Sequence, residues 1–206
     1  MTDQSTALSK SSLDANPIRQ FQSWFEEARA RGVSEQDATS MTLATATSDG
    51  TPDARIVLLK SFDDSGFVFY TNYQSRKGRE LSESPRACLL FYWASLWRQV
   101  RIEGTVEKIS EAESDAYFQS RPLGSQLGAW ASNQSEVVAT RESLEARYDE
   151  LQKRFGDNVP RPPHWGGYRV NPTAIEFWQG QDNRLHDRLR YKLGQDGNWT
   201  IERLGP

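Results

Sequence analysis

The chain has one cysteine, Cys88, in 206 residues. An intrachain disulfide is therefore impossible, which is compatible with a reducing compartment. Histidine is almost as scarce. His164 and His186 stand apart, so no Cys or His pair has the spacing of a zinc site, and no metal is expected. No apolar run approaches the roughly 20 residues that cross a bilayer. Residues 1–12 are polar and lack the apolar centre of a signal peptide. The expectation is a cytoplasmic protein without a membrane partner. Neither sign of charge dominates: 25 Lys and Arg face 28 Asp and Glu. General affinity for nucleic acid is thereby excluded. A G-x-S-x-G elbow, a P-loop and a strand-linked G-x-G-x-x-G are all missing, which removes three common catalytic or nucleotide-binding designs. Internal repeats and low-complexity tracts are absent too.

Aromatic residues are plentiful, with seven Trp, seven Tyr and nine Phe to fill a core or an interface. Residues 1–15 are rich in Ser, Thr and Asp without periodicity, and read as a disordered arm. Residues 16–206 read as one domain. Asn16-Pro17 has the pattern of an N-cap and first helical residue. Ile18, Phe21, Phe25 and Ala28 follow at helical spacing, and Gly32 ends the helix. From Met41 the period becomes two. Strands are expected over 41–47, 53–62, 67–71, 86–92 and 99–109, with a hairpin turn at Asp49-Gly50. Gly104 inside the last of these suggests a bulge or a close backbone approach. Helices are expected over 75–82, 111–119 and 140–155, and a small-residue connector over 124–135. Closing strands are expected over 167–170, 174–178, and 185–191 running toward 199–204. Hairpin-linked strands with helices between them imply a mainly β, antiparallel architecture with a closed or partly closed barrel.

Cations gather in discrete places. Arg55 and Lys60 bracket an apolar stretch, Ile56-Val57-Leu58-Leu59; a regular strand would send them to opposite faces, where they could serve two anions. Ser75-Arg76-Lys77 lies at an expected helix start, where backbone N–H groups and the helix dipole favour phosphate. Arg121 and Ser125 flank another helix end near Tyr117. Gln99 and Gln134-Ser135 carry donors and acceptors suited to the edge of a heteroaromatic ring. Each cluster alone reads first as a solvated surface, and it is several of them on neighbouring elements that point to anion sites. The stretch 176–188 joins an apolar run ending in Trp178 to Arg184, His186 and Arg188 at alternate positions. On a strand over 184–191 these three would share one face. A solvated edge strand and a face for a flat, phosphorylated ligand both remain open there.

Several segments together resemble the pyridoxamine 5′-phosphate oxidase family: RIVLLK at 55–60, FYTNYQSRKGREL at 69–81, WRQVRIEG at 97–104, YFQSRPLGSQLGAWASNQS at 117–135, HWGGYRV at 164–170 and IEFWQGQDNRLHDR at 175–188. The resemblance implies an FMN-binding split β-barrel and a homodimer with FMN at the subunit interface. It implies FMN contacts from Arg55, Ile56, Val57, Leu58, Leu59, Lys60, Tyr70, Thr71, Arg76, Lys77, Gln99, Gln134, Ser135, Trp178 and Arg188. It assigns the substrate phosphate to Lys60, Tyr117, Arg121 and Ser125, and places Arg184 and His186, the catalytic candidates, over the substrate ring. The implied reaction oxidises pyridoxamine 5′-phosphate or pyridoxine 5′-phosphate with dioxygen. Many members carry an Arg- and Tyr-bearing arm that folds over the substrate. Residues 1–15 here contain neither, so no substrate contact is expected from them.

Overall fold

Alternation of apolar and polar residues builds the centre of the molecule. In β1 (Ser40–Ala46) Met41 and Leu43 point inward and are almost fully buried. The same alternation puts Leu89 and Phe91 of β5 (Arg86–Trp93) and Val100 and Ile102 of β6 (Arg98–Lys108) on that inner side. The computed structural model describes residues 7–206. It contains one nine-stranded sheet in the order β2 (Pro52–Leu58), β1, β5, β6, β7 (Trp165–Gln179), β4 (Gly66–Asn72), β3 (Ser61–Asp63), with β8 (Asp187–Leu193) on β7 and β9 (Trp199–Arg203) on β8. Every pairing is antiparallel. The path runs from β2 to β3 without closing, as a split barrel requires.

One helix plugs the core. Asn16 caps α1 (Pro17–Ala30), its side chain accepting from the backbone N–H groups of Ile18 and Arg19, and a short α2 (Glu35–Thr39) leads into β1. Phe21 meets Phe62, Phe67 and Phe91 at centroid distances of 5.0, 4.9 and 5.1 Å. Full burial of each such ring contributes roughly 1.5–3 kcal/mol. A second apolar cluster joins Phe118 of α4 (Glu111–Ser120) to Leu127 of α5 (Leu123–Ala131), Leu151 of α6 (Arg141–Phe155) and Trp165.

Five expectations need correction or restriction. The stretch 53–62 is two strands, β2 (Pro52–Leu58) on β1 and β3 (Ser61–Asp63) on β4 (Gly66–Asn72). Leu59 turns into the core at the break, its N–H bonded to Thr39 O at 2.8 Å. The connector over 124–135 is helical through Ala131, because burial of Leu127 and Ala131 outweighs a glycine- and serine-rich composition. The strands 167–170 and 174–178 are one, β7 (Trp165–Gln179). Thr173 is its extra residue, since Glu103 pairs with Ala174 and Gly104 with Pro172. A Cβ on Gly104 would lie 2.2 Å from Asn171 O, so the bulge and the close approach coincide. The basic comb is broken: Asp182–Arg184 is a 3-10 turn, Asn183 and Arg184 have φ of 55° and 61°, and β8 begins at Asp187 (Asp187–Leu193). The strand closing the sheet is β9 (Trp199–Arg203). Of the expected arm, residues 1–6 lie outside the described residues. Within 7–15 Leu8 is buried and its N–H donates to Asp187 Oδ2 at 3.0 Å, while most of its neighbours are exposed.

Candidate functional site

A cleft of about 950 Å³ opens between β2, the end of β4, the start of α3 (Arg76–Glu83) and the α4–α5 region. Two basic groups line it. They are the two sets the resemblance implies: Arg55, Arg76 and Lys77 with Gln134 and Ser135, and Lys60 and Arg121 with Tyr117 and Ser125, all of them among the residues lining this cleft. Ile56, Val57, Leu58, Tyr70 and Thr71 complete the expected residues in the cleft. Arg55 and Lys60 both line this cleft; β2 ends at Leu58, so strand alternation does not extend to Lys60.

The first group is tightly braced. Ser75 caps α3, its hydroxyl accepting from the Gly78 N–H. Lys77 is buried, and its Nζ donates to Gln134 Oε1 at 3.2 Å. Thr71 Oγ1 donates to the same oxygen at 3.2 Å. With its oxygen held twice, the Gln134 amide presents its NH2 as the remaining donor. Burial pushes the Lys77 ammonium below its ordinary pKa, and the Arg55 charge adds to that. Arg55 and Arg76 share two carboxylates. Asp53 bonds both, and Glu80, 3% exposed, lies 3.1 Å from Arg55 Nη2 and 2.9 Å from Arg76 Nε. Burial raises the Glu80 carboxyl, but hydrogen bonds from Thr45, Arg76 and Arg55 outweigh it and hold the group below its usual value.

The second group is braced by aromatic rings. Tyr70 stacks on Tyr117 at 3.9 Å and on Trp165 at 5.4 Å. The Arg121 guanidinium lies 4.6 Å from the Trp165 ring centroid. Its Nη1 is buried with no hydrogen-bond partner among the described residues. A buried unpaired donor is costly, so this nitrogen is available to an acceptor that enters the cleft. Burial correspondingly lowers the Arg121 pKa from its ordinary value.

The remaining expected residues lie elsewhere. Leu59 faces the core. Gln99, Trp178 and Arg188 form a cross-strand row on β6, β7 and β8. His186 sits 4.8 Å from the Trp178 ring, with Nδ1 accepting from the Gln181 N–H at 3.1 Å. Arg188 grips Glu176 through two nitrogens at 2.8 and 3.1 Å. Arg184 is exposed at its left-handed backbone position. None of these five lines the cleft of its own chain. Near them Ile56, Tyr92, Trp97 and Leu185 remain at least 57% exposed, an unusual load of large apolar side chains. Asp53, Glu80 and Trp165 escaped the sequence reading. The Arg76-to-Glu80 spacing of four on a helix was the one available signal.

Two family models match the chain. One, described as pyridoxamine 5′-phosphate oxidase, covers residues 27–155; the other, described as the pyridoxine 5′-phosphate oxidase C-terminal dimerisation region, covers 165–206. The pyridoxine/pyridoxamine 5′-phosphate oxidase of Cupriavidus metallidurans is 60% identical over 98% of this chain and 94% of its own. That of Ralstonia pickettii is 61% identical over 94% of this chain and 91% of its own. Among solved structures, PhzG from Burkholderia lata, in complex with tetrahydrophenazine-1-carboxylic acid, aligns with a TM-score of 0.91 at 35% identity, covering 98% of this chain and 99% of its own. An FMN-binding protein from Nostoc punctiforme aligns at 0.73 and 17% identity over 95% of this chain and 99% of its own, a likeness of fold.

Proposed function

The chain belongs to the pyridoxamine 5′-phosphate oxidase family, and from that membership we propose that it is an FMN-dependent enzyme. It oxidises pyridoxine 5′-phosphate directly to pyridoxal 5′-phosphate, and pyridoxamine 5′-phosphate to an imine that water hydrolyses to the same aldehyde and ammonia, with dioxygen as acceptor and hydrogen peroxide as by-product. The observation that carries this reading is one cleft lined both by the braced Arg55, Arg76 and Lys77 and by Arg121, whose Nη1 is buried without a partner among the described residues. A cofactor and a substrate that each bear a phosphate need that arrangement. The residues fit FMN: Arg76, Lys77 and the start of α3 suit its phosphate, and the Gln134 amide suits a ring-edge acceptor. Bound there, FMN supplies the two-electron acceptor for oxidation at the substrate's exocyclic C4′ carbon.

Lys60, Tyr117, Arg121 and Ser125 hold the substrate phosphate. Each charge-assisted bond contributes roughly 1.5–3 kcal/mol, and the grip turns the encounter into an effectively unimolecular one. The sheet face bearing Ile56, Tyr92 and Trp97 is covered by a second copy in a homodimer. That copy brings its own Gln99, Trp178, Arg184, His186 and Arg188 to the cleft. Arg184 lies against the substrate ring and stabilises charge developing there. His186 orients the substrate or assists proton movement. A cytoplasmic setting fits the single cysteine.

The purified protein should be yellow, and its flavin should bleach anaerobically on addition of pyridoxine 5′-phosphate. A colourless protein that cannot retain FMN would refute the reading. The likeness to PhzG favours a second reading, oxidation of a phenazine precursor. Bleaching by tetrahydrophenazine-1-carboxylic acid, but not by either phosphorylated vitamer, would select it.

A further inference from the structure

The loop that carries Arg184 and His186 has no packing of its own. Gln179 pairs with Asp187 across β7 and β8, and residues 180–186 join them. No residue from 181 to 186 is buried, and Leu185 is 70% exposed. Asn183 and Arg184 both sit in left-handed backbone, which a non-glycine residue keeps only where its surroundings enforce it. The loop's side-chain hydrogen bonds lead to Asp187, which is 7% exposed and follows His186 in sequence. Asp187 Oδ2 accepts from Gln181 Nε2 at 2.9 Å and from the Leu8 N–H at 3.0 Å. Its Oδ1 accepts from Arg203 Nη1, and Arg203 Nη2 donates in turn to Leu8 O. Gln181 completes the link, because its own N–H donates to His186 Nδ1 at 3.1 Å. Burial raises the Asp187 carboxyl, but the hydrogen bonds from Arg203, Leu8 and Gln181 outweigh it and lower its pKa. The group is therefore a carboxylate that can accept from all three.

We propose that Asp187 is a positioning residue for turnover. It holds the loop of Arg184 and His186 in one arrangement, and it fastens that loop to the N-terminal segment at Leu8 and to β9 at Arg203. The carboxylate does not line the cleft of its own chain, so it acts through the two side chains whose loop it holds. A loop with no buried residue has little else to keep its register. A misplacement of about 1 Å in an aligned group can cost on the order of a hundredfold in rate. The N-terminal segment then contributes to the reaction without touching the substrate: Leu8 is packed in the core and offers Asp187 a fixed donor. This rests on the reading of Arg184 and His186 as catalytic, and deepens it by naming the group that sets their geometry.

The test is a mutant cycle on the rate of flavin bleaching, followed anaerobically in single turnovers with saturating FMN and pyridoxine 5′-phosphate. Asp187→Asn keeps the shape and withdraws one acceptor oxygen. Gln181→Met removes a donor from the less buried side, and is read in the same way if the Asn variant does not fold. Each is made in wild type and in a background carrying both Arg184→Ala and His186→Ala. The expected result is a rate lowered about tenfold in wild type, the equivalent of roughly one hydrogen bond to a charged group. In the background, where nothing is left to position, the same change should lower the rate less than about twofold. An equal fall in wild type and background would show a merely structural role and overturn the proposal. An unchanged rate in wild type would overturn it too. Wild-type flavin that pyridoxine 5′-phosphate does not bleach, or a background as fast as wild type, would instead refute the assignments beneath it.

Discussion

Glu176 offers the sharpest measurement of how the outer sheet face is held. The residue is 3% exposed, though its strand register points it away from the barrel interior. Arg101 Nη2 lies 2.8 Å from Oε2, and Arg188 adds two bonds from the other side. Glu176→Gln keeps the shape but removes the charge, and its NH2 cannot accept. Deleting one partner of a buried ion pair costs about 3–5 kcal/mol. The guanidiniums here are 35% and 30% exposed, so water relieves part of that loss. About 2 kcal/mol remains. For a chain of 206 residues that corresponds to a fall in Tm of roughly 4–8 °C. The assay is equilibrium unfolding in urea of FMN-free protein at one fixed concentration, because association shifts apparent stability. The pH dependence supplies a second reading. Burial raises the Glu176 carboxyl, but the hydrogen bond from Arg188 and the charge of Arg101 outweigh it and lower its pKa below the ordinary 4.5. A lowered carboxylate contributes stability that is fully present above pH 4.5 and is lost as pH falls through the folded value. Wild type should therefore lead Glu176→Gln at pH 7, and the gap should close on acidification. A gap below about 0.5 kcal/mol at pH 7, the ordinary scatter of surface substitutions, would refute the reasoning. So would a gap that widens toward acid.

Other substitutions probe the site and the bulge. Arg184→Ala should lower kcat by roughly a hundredfold, the scale of a lost electrostatic donor, with FMN content of the purified protein unchanged; an unaltered kcat would remove Arg184 from the reaction. Lys60→Ala and Arg121→Ala should each raise the KM for pyridoxine 5′-phosphate by roughly 10- to 100-fold, the equivalent of one charge-assisted bond. If both leave KM unmoved, the phosphate lies elsewhere. Gly104→Ala should cost roughly 1–3 kcal/mol in urea unfolding, because its Cβ would meet Asn171 O at 2.2 Å. A neutral result would mean that the bulge opens freely.

Local chemistry made much of the fold legible. Asn16-Pro17 marked the start of α1, and Asp49-Gly50 marked the β1–β2 turn, where Gly50 has φ 87°. Period-two runs located β1, β4, β5 and β6 within a residue or two. The failures came where tertiary partners overrode local pattern. Nothing in Arg55 to Lys60 announces that Leu59 should leave the strand; the buried space beside Thr39 and the core decides it. The α5 segment carries Gly124, Ser125 and Gly128, a poor helical composition. Packing of Leu127 against the cluster of Phe118, Leu151 and Trp165 holds it helical. Asn171-Pro172 read as a gap between strands, yet a bulge at Thr173 carries β7 through it.

The site divides along the same line. Cations at turns and helix ends were visible because charge clusters are local in sequence. The carboxylates that aim them were not: Asp53 and Glu80 are neighbours only because Arg55 and Arg76 bring a strand and a helix together. Trp165 is likewise distant in sequence from Tyr70 and Tyr117, and becomes their floor only through the β4–β7 pairing. The comb at Arg184, His186 and Arg188 failed for a further reason. Asn183 and Arg184 adopt left-handed backbone, which period-two reasoning cannot accommodate. Its residues also do not line the cleft of their own chain. Exposed Tyr92, Trp97 and Leu185 beside a clasped Glu176 give that face the character of a surface meant to be covered. A two-fold related copy is the economical cover, because one operation buries both faces and supplies both clefts. On that argument the catalytic set is complete only in the dimer, and protein diluted to monomers should retain its fold but lose turnover.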